Sequence, residues 1–419
     1  MRSSRKDRYN LIFPCFLIAV CGAMLLFDIF CVDHFIGYID GEAYYSYLPE
    51  YFLEGNWEHF EKYPIGTAVC ELPFFLIAHG ITVITNVAEA DGYTIVYDWA
   101  VGLSGIFYFA LGSGFLYVVL RKMLNGKWAF WSIFLLTAGT ALPLYATKYA
   151  SFSHIKTYAL TAIFMYVMLR ILEDRDRFSW HLLAGILTGL IVILRNTNIF
   201  ILLFYFLYEL GDKEKYKAHI RKAFSPGRLF PDILGMMIIV GPQLILWKIA
   251  TGSFFCYSYE GEEFLYLANP KISEVFFSDA KGLLIFSPVL FFSILGIFFL
   301  WKGSCRKYAA GVTTVFAAET YITSAWWCWW LGGVYSIRSY IDIFPFLALS
   351  TGVFFSWLEE AMPRQRSARI GLKLFYGIVT AGFCLMNFAF MKGTLSGLVN
   401  ETMAFWWELR EALRTVLVF

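Results

Sequence analysis

The sequence predicts an all-α polytopic membrane protein with about eleven transmembrane helices and an outer-face first loop that contains amphipathic helices. Of the 419 residues, 59% are hydrophobic and only 16% are charged. Soluble globular proteins contain about 45–50% apolar and about 25% charged residues, so most of this chain is expected to lie in lipid. The 34 basic and 32 acidic residues nearly balance, and the basic ones form short clusters between apolar segments. This pattern predicts no nucleic-acid partner.

Basic clusters predict the direction of the first spans. Four basic residues precede the first apolar segment, 10–32, so the positive-inside rule places the N-terminus in the cytoplasm and the loop 33–98 outside. The next basic pair, Arg121 and Lys122, should again be cytoplasmic, which allows only one of the segments 66–85 and 99–120 to cross. Segment 66–85 contains an acidic residue, a proline and a histidine. We therefore predict that it is an amphipathic or re-entrant helix on the outer face.

The later apolar segments alternate in direction between the remaining basic clusters. The predicted crossings after 99–120 are 128–147, 155–172, 233–250, 283–301, 308–325, 341–358 and 372–391. The segment 180–210 lies between two cytoplasmic clusters and is interrupted at Arg195, which predicts a broken hairpin whose tip is at or just below the outer surface. The tail, 401–419, is amphipathic and is expected either to lie on the outer surface or to form one more span. Together these segments predict one transmembrane domain over residues 1–419, with the loop 33–98 as its catalytic loop.

The unusual polar residues collect at the predicted outer ends of the spans. Asp40 and Glu42 follow the first span directly, where an ionised group that enters hydrocarbon costs several kcal/mol. Cations and aromatic residues occupy the other outer ends, namely Lys62, Lys148, His154, Arg195, Lys281, Arg338, Tyr44 and Tyr45. Carboxylates beside cations suit a reaction in which a hydroxyl is deprotonated and an anionic leaving group is stabilised. The alternative to a catalytic role for Asp40 and Glu42 is that they simply lie in a loop exposed to water. The alternative for Arg195 is that its side chain extends from a helix end to the membrane surface without binding a ligand.

Several short motifs occur in the order that is typical of one enzyme superfamily. They are Asp40-Gly41-Glu42-Ala43-Tyr44-Tyr45, Lys62-Tyr63-Pro64-Ile65-Gly66, Ser153-His154, Leu194-Arg195-Asn196-Thr197-Asn198, Lys281-Gly282-Leu283, Ser287-Pro288, and Gly332-Gly333 with Arg338 and Pro345. In this order the chain resembles the C-type superfamily of integral-membrane glycosyltransferases, in particular the protein O-mannosyltransferases and the lipid A aminoarabinose transferases. The resemblance spans nearly the whole chain.

The resemblance implies a function for the outer residues. It implies that Asp40 is the general base, that Glu42 is a helper or a metal ligand, and that the basic residues hold a lipid phosphate. The expected reaction moves a hexose or pentose from a polyprenyl-phosphate donor to a hydroxyl of a lipid-anchored or cell-envelope glycan. The expected location is the outer face of a bacterial plasma membrane. No cofactor is required by this scheme, although a divalent cation held by Asp40 or Glu42 is left open. No soluble outer domain is expected, which makes a large protein acceptor less suitable.

Two other functions are compatible with the same residues. An envelope polysaccharide polymerase or ligase also handles lipid-linked sugars, but it releases a lipid diphosphate. A flippase or transporter of lipid-linked sugars would use the charges to line a path, and it should have polar residues on both faces and paired repeats. The sugar, the acceptor and the oligomeric state are beyond what these patterns predict.

Overall fold

The computed structural model describes residues 8–32, 35–37, 39–173, 177–332 and 335–395, together with Arg410 and Arg414. The predicted tail helix, 401–419, otherwise lies outside the described residues, as does Gly333. The helices are α1 (Tyr9–Cys31), α2 (Ile39–Tyr45), α3 (Tyr47–Phe52), α4 (Gly66–Thr85), α5 (Ile95–Met123), α6 (Gly126–Gly139), α7 (Leu142–Ala146), α8 (Ser153–Leu172), α9 (Phe178–Leu194), α10 (Leu203–Phe206), α11 (Lys213–Ala223), α12 (Pro226–Thr251), α13 (Ile272–Phe277), α14 (Leu283–Phe286), α15 (Leu290–Leu300), α16 (Arg306–Ala325), α17 (Phe344–Ala361) and α18 (Arg366–Leu395), with 3₁₀ helices at Asn196–Leu202 and Arg338–Ile343.

The described part of the chain is helical and contains no strand, which confirms the predicted fold class. Seven of its helical segments are long and apolar enough to cross a membrane: α1, α4, α5, α8, α12, α18, and α17 together with the 3₁₀ helix that precedes it. Three shorter apolar segments accompany them, at Phe178–Leu194, Asn196–Phe206 and Leu290–Leu300. The predicted number of about eleven crossings stays a prediction.

Helix α8 forms the centre of the bundle. Most of its side chains are buried, and it packs against α5, α9, α17 and the 3₁₀ helix Arg338–Ile343. Helices α12 and α18 lie at the periphery, where their apolar side chains remain largely exposed to the surrounding lipid. The N-terminal end of α8 is therefore the point at which the central helices and the loop 33–98 meet.

The predicted break at Arg195 is present. Helix α9 ends at Leu194, Arg195 has an extended backbone, and the chain continues as the 3₁₀ helix Asn196–Leu202 and then α10. The chain after α10 reaches the start of α16, where the amide of Glu209 donates to the carbonyl of Lys307 at 2.8 Å. The segment thus turns back at Arg195, and its returning arm is a tight 3₁₀ helix rather than a second α-helix.

The chain on either side of α4 contacts the same short segment. The Tyr47 hydroxyl donates to the carbonyl of Tyr63, before α4, at 2.7 Å, and the Tyr45 hydroxyl donates to the carbonyl of Gly92, after α4, at 2.6 Å. The length and composition of α4 suit a span. The position of this helix on the outer face, without a crossing, stays a prediction.

Candidate functional site

Asp40 is held at the N-terminal end of α8 by the packing of the first loop. Asp98, at the start of α5, accepts hydrogen bonds from the amides of Phe35 at 2.8 Å and Ile36 at 3.0 Å. A side chain at Gly41 would overlap the hydroxyl of Ser151, so glycine lets α2 approach the segment that leads into α8. Ser151 in turn donates to the carbonyl of Phe35 at 2.7 Å. The outer loop and the central helix are thus joined next to Asp40.

Both carboxylate oxygens of Asp40 are engaged. Arg338 donates to Oδ2 at 2.7 Å, and the hydroxyl of Tyr63 donates to Oδ1 at 2.9 Å. The Asp40 side chain is 25% exposed and that of Arg338 is 18% exposed, so a ligand can reach the pair. The Arg338 guanidinium also lies 5.2 Å from the ring centroid of Phe152, a stacking arrangement that holds it in place. Asp40 and Arg338, 298 residues apart in the chain, therefore form the first charged pair of the site.

Arg338 is aimed at Asp40 by a tight backbone turn. It is the first residue of the 3₁₀ helix Arg338–Ile343, and the preceding segment contains Leu331, Gly332 and Ser336 at φ values of 56°, 54° and 64°. Positive φ is uncommon for residues other than glycine, so this segment carries backbone strain that the surrounding packing must offset. The predicted turn beside Arg338 is therefore present, and two of its positive-φ positions are not glycines.

Two tyrosines form the wall next to Asp40. Their rings, those of Tyr44 and Tyr63, are stacked with centroids 4.1 Å apart. Burial raises the pKa of both hydroxyls above the ordinary value, and the negative charge of Asp40 raises them further. Both tyrosines therefore stay neutral, and Tyr63 acts as a hydrogen-bond donor to Asp40.

The loop between α12 and α13 covers this wall. Lys62 forms an ion pair with Glu262 of that loop, and its ammonium lies 5.1 Å from the ring centroid of Tyr259. The hydroxyl of Ser258 donates to the carbonyl of Lys62 at 2.6 Å. Lys62 therefore binds the loop to the site, and the carboxylate of Glu262 neutralises its charge.

A second cluster is centred on Asp342, which is completely buried. Its carboxylate interacts with His154 Nδ1 at 2.9 Å, with Arg195 Nη1 at 3.0 Å and with Asn198 Nδ2 at 3.1 Å. The Arg195 side chain is 22% exposed, and one hydrogen bond to Asp342 occupies only one of its five donors. Glu319 lies close enough to influence Arg195 electrostatically. This cluster fixes the position of Arg195, whose side chain stays partly exposed.

The two clusters adjoin through Tyr44. The charges of Asp40 and Arg195 both influence its hydroxyl, and the hydroxyl of Ser153 donates to it at 3.4 Å. Gly66 provides a further connection, because a side chain there would overlap the backbone of Ile193 and Leu194 at the end of α9. The start of α4, with Tyr63 just before it, is thereby brought next to Arg195.

The remaining predicted site residues lie farther from Asp40 or face elsewhere. Tyr45 turns its hydroxyl to Gly92 and packs against Phe75, and Glu42 is exposed. The ammonium of Lys148 lies 5.8 Å from the ring centroid of Tyr149. Lys281 is buried beside the start of α14. These positions give no direct contact with Asp40, so roles for these four residues stay predictions.

Sequence reasoning missed the residues that organise the site. Asp342 and Glu319 both lie inside predicted spans, 341–358 and 308–325, where an acid is rare and indicates a function. That signal was available from the sequence. Tyr63 and Asn198 lie in motifs that carry the family resemblance, but neither was assigned a role, and only the fold brings them to the carboxylates.

The described residues do not form a metal site. Among them, no group of three or more His, Cys, Asp or Glu side chains lies close enough to hold a metal ion. Asp40, the leading candidate ligand, instead has an arginine and a tyrosine as partners, and a guanidinium beside a metal ion would be repelled.

The chain shares its fold with known membrane glycosyltransferases. It superimposes on ArnT from Cupriavidus metallidurans in the apo state with a TM-score of 0.56 and 13% identity, covering 97% of this chain and 77% of ArnT. It also superimposes on the oligosaccharyltransferase AglB from Archaeoglobus fulgidus, in complex with an inhibitory peptide and a dolichol-phosphate, with a TM-score of 0.50 and 11% identity. That match covers 95% of this chain but only 56% of AglB.

Another structure of the Archaeoglobus fulgidus oligosaccharyltransferase, tethered to an acceptor peptide, gives a TM-score of 0.51 at 10% identity, covering 95% of this chain and 55% of that one. No protein-family model and no curated protein matches the sequence. These matches confirm, at the level of the fold, the predicted resemblance to the C-type superfamily.

Proposed function

We propose that this protein is a membrane glycosyltransferase that moves one sugar from a polyprenyl-phosphate donor to a hydroxyl of a lipid-anchored or cell-envelope glycan, on the non-cytoplasmic face. The observation that carries the proposal is the contact of Asp40 with Arg338, beside Arg195, at the outer end of the central helix. A carboxylate next to two partly exposed guanidinium groups supplies a base for the acceptor and cations for a phosphate.

The ion pair between Asp40 and Arg338 represents the resting state of this site. A donor phosphate competes with the Asp40 carboxylate for the Arg338 guanidinium, since arginine binds phosphate in a bidentate manner. Once Arg338 has moved to the phosphate, Asp40 keeps its hydrogen bond from Tyr63 and gains a free oxygen. Donor binding thereby prepares the base, and an empty site keeps it neutralised.

The chemical step is a substitution at the anomeric carbon. Asp40 accepts the proton of the acceptor hydroxyl while that oxygen bonds to the anomeric carbon, and the bond from that carbon to the phosphate oxygen breaks. The phosphate gains a second negative charge, which Arg338 and Arg195 offset. Asp342 and His154 do not touch the sugar in this scheme; they hold Arg195 in position.

The acceptor is the least constrained part of the proposal. AglB was solved with a peptide and a dolichol-phosphate, which makes a lipid-linked donor a suitable analogy for this chain. The described part of the chain consists mainly of helices and the loops between them, and this arrangement suits an acceptor that reaches the site from the membrane plane. A glycolipid or an envelope glycan has that property.

The test compares glycolipids and envelope glycans, by mass spectrometry, in cells that lack the protein and in cells complemented with variants. Asp40→Asn keeps the shape of the side chain but removes the base, so the transfer rate is expected to fall about 10²- to 10⁴-fold. Glu54→Gln changes an exposed acid just after α3 and is the matched control, with full complementation expected.

Three outcomes of this experiment would contradict the proposal. Full restoration of the missing sugar by Asp40→Asn would exclude the base. Accumulation of a diphosphate-linked oligosaccharide would favour a polymerase or ligase. Accumulation of an unchanged donor on the cytoplasmic side alone would favour a transporter.

A further inference from the structure

A long apolar crevice lies between α6, α17 and α18, away from the charged site. Its volume is about 890 Å³, which is at the upper end of the range of about 300–1,000 Å³ for sites that bind small molecules. Its walls are formed by Trp131, Leu135, Phe355, Cys384 and Phe388, among others. None of the described residues that line it belongs to the cluster around Asp40 or the cluster around Asp342. It is therefore a separate binding surface.

One end of the crevice is charged. Lys127 donates to Glu359 Oε1 at 2.6 Å, and the indole of Trp128 donates to Glu359 Oε2 at 3.0 Å. Lys373 lines the same end and interacts electrostatically with Glu359. Two ammonium groups thus face one carboxylate, which leaves a surplus positive charge at the mouth of an apolar crevice.

The charged end lies on the side that the basic clusters assign to the cytoplasm. The chain that follows α17 carries three exposed arginines, Arg364 in the connection to α18 and Arg366 and Arg369 in the first turn of α18. Farther along α18, the side-chain amide of Asn387 donates to the carbonyls of Ala138 and Thr140 at 3.0 Å each, which joins α18 to the end of α6. An occupant must therefore put its anionic group at the cytoplasmic surface and its apolar part toward the middle of the membrane.

We infer that the crevice binds an anionic phospholipid of the cytoplasmic leaflet, with the headgroup at Lys127 and Lys373 and an acyl chain along α18. Basic pockets between transmembrane helices on the cytoplasmic side are suited to anionic lipid headgroups. The sugar donor is the wrong occupant for this surface, because its phosphate belongs at Arg338 and Arg195, at the outer end of the bundle. The lipid fills the gap between α18 and the rest of the protein.

The experiment measures bound lipid and not sugar transfer, so its result is independent of the proposed function. The full chain is reconstituted in nanodiscs with equal amounts of phosphatidylglycerol and phosphatidylcholine, extracted in mild detergent, and examined by native mass spectrometry. The wild type is expected to retain phosphatidylglycerol several-fold more than phosphatidylcholine. Lys373→Gln is expected to abolish that preference, whereas Arg369→Gln, on the exposed surface of the same helix, is expected to keep it.

A second pair of variants tests whether the lipid lies in the crevice. A side chain at Gly377 would meet open space, and Gly377 lines the crevice, so Gly377→Leu is expected to fill it and abolish retention. Gly382 also faces open space but lies outside the lining, so Gly382→Leu is the matched control and should retain lipid. Ala381→Leu replaces Gly377→Leu if that variant does not fold.

Equal retention by Gly377→Leu and the wild type would overturn the inference. So would equal retention of the two phospholipids by the wild type, or retention of polyprenyl phosphate from a native membrane extract in place of phospholipid.

Discussion

At the residue scale, the two acids of the first loop are not equivalent. Asp40 has an arginine and a tyrosine as partners, while Glu42, two residues on, points into solvent. On a helix, residues two positions apart face different directions, and only one of the pair can point into the site. The sequence favoured Asp40 over Glu42 only through the family resemblance, and this difference in direction agrees with that preference.

Asp342 is predicted to contribute to stability as well as to donor binding. It is wholly buried and is the common partner of His154 and Arg195, so Asp342→Ala leaves their donors without a carboxylate. Arg195 is partly exposed, so the expected loss in the free energy of unfolding is that of unsatisfied buried donors, about 1–3 kcal/mol. The Tm of the purified protein in detergent should fall accordingly, and the residual enzyme should bind its donor more weakly.

Asp279→Ala provides the comparison for that variant. Asp279 is an exposed acid on the same outer side, and its removal is expected to change Tm very little. A fall in Tm of similar size in both variants would show that Asp342 has no special structural role.

At the scale of elements, the central helix is connected to α4 by a buried ion pair. Lys156 donates to Glu71 Oε1 at 2.5 Å and also to the carbonyls of Ala150 and Phe152, in the segment that contacts α2. Lys156 and Glu71 are 0% and 1% exposed. In the sequence analysis, Glu71 served only as evidence that segment 66–85 does not cross the membrane. Its partner could not be predicted, since the pairing depends on how α4 lies against α8.

This pair can be tested with a double-mutant cycle. Lys156→Met or Glu71→Leu alone leaves a buried charge uncompensated and is expected to lower the free energy of unfolding by about 3–5 kcal/mol. The double variant removes both charges, and most of the loss should be recovered because well-packed apolar residues can replace a buried ion pair. The quantity measured is Tm for all four proteins of the cycle.

The surface pair of Lys122 and Glu173, joined at 2.6 Å, is the control for this cycle. Both side chains are partly exposed, so Lys122→Met should cost only about 0–1 kcal/mol. Additive losses in the double variant of the buried pair would indicate that Lys156 and Glu71 act independently, contrary to the structure.

At the scale of the whole molecule, the direction of each helix depends on whether α4 crosses the membrane. The bonds of Tyr45 to Gly92 and of Tyr47 to Tyr63 join the chain after α4 and the chain before it to one segment. A single extra crossing would reverse the direction of every later helix. The basic clusters would then lie on the outer side, contrary to the positive-inside rule. The position of the segment after α4 therefore decides the topology.

A cysteine introduced after α4 tests this point in a variant from which the eight natural cysteines have been removed. Glu89→Cys, in the exposed segment between α4 and α5, is expected to react with a membrane-impermeant thiol reagent applied to the outer face of intact cells. Glu214→Cys, in the exposed helix α11, is expected to react only after the membrane is opened. Labelling of both positions from the same side would contradict the predicted topology.

The sequence by itself determined the class of fold and the break at Arg195, and it marked the acids that follow the first span as candidates. These features follow from local properties: hydropathy, basic clusters, and the cost of a charge near lipid are all readable along one segment. The membrane makes them strong signals, because a helix in hydrocarbon has few alternatives.

Only the tertiary structure decided which charges meet. The contacts of Asp40 with Arg338, of Asp342 with Arg195, and of Glu71 with Lys156 join residues 85 to 298 positions apart. Each contact depends on how several helices pack, at close approaches such as those at Gly41 and Gly66. A single sequence records which charges are present but not which helices are neighbours, so the structure alone paired each carboxylate with its cation.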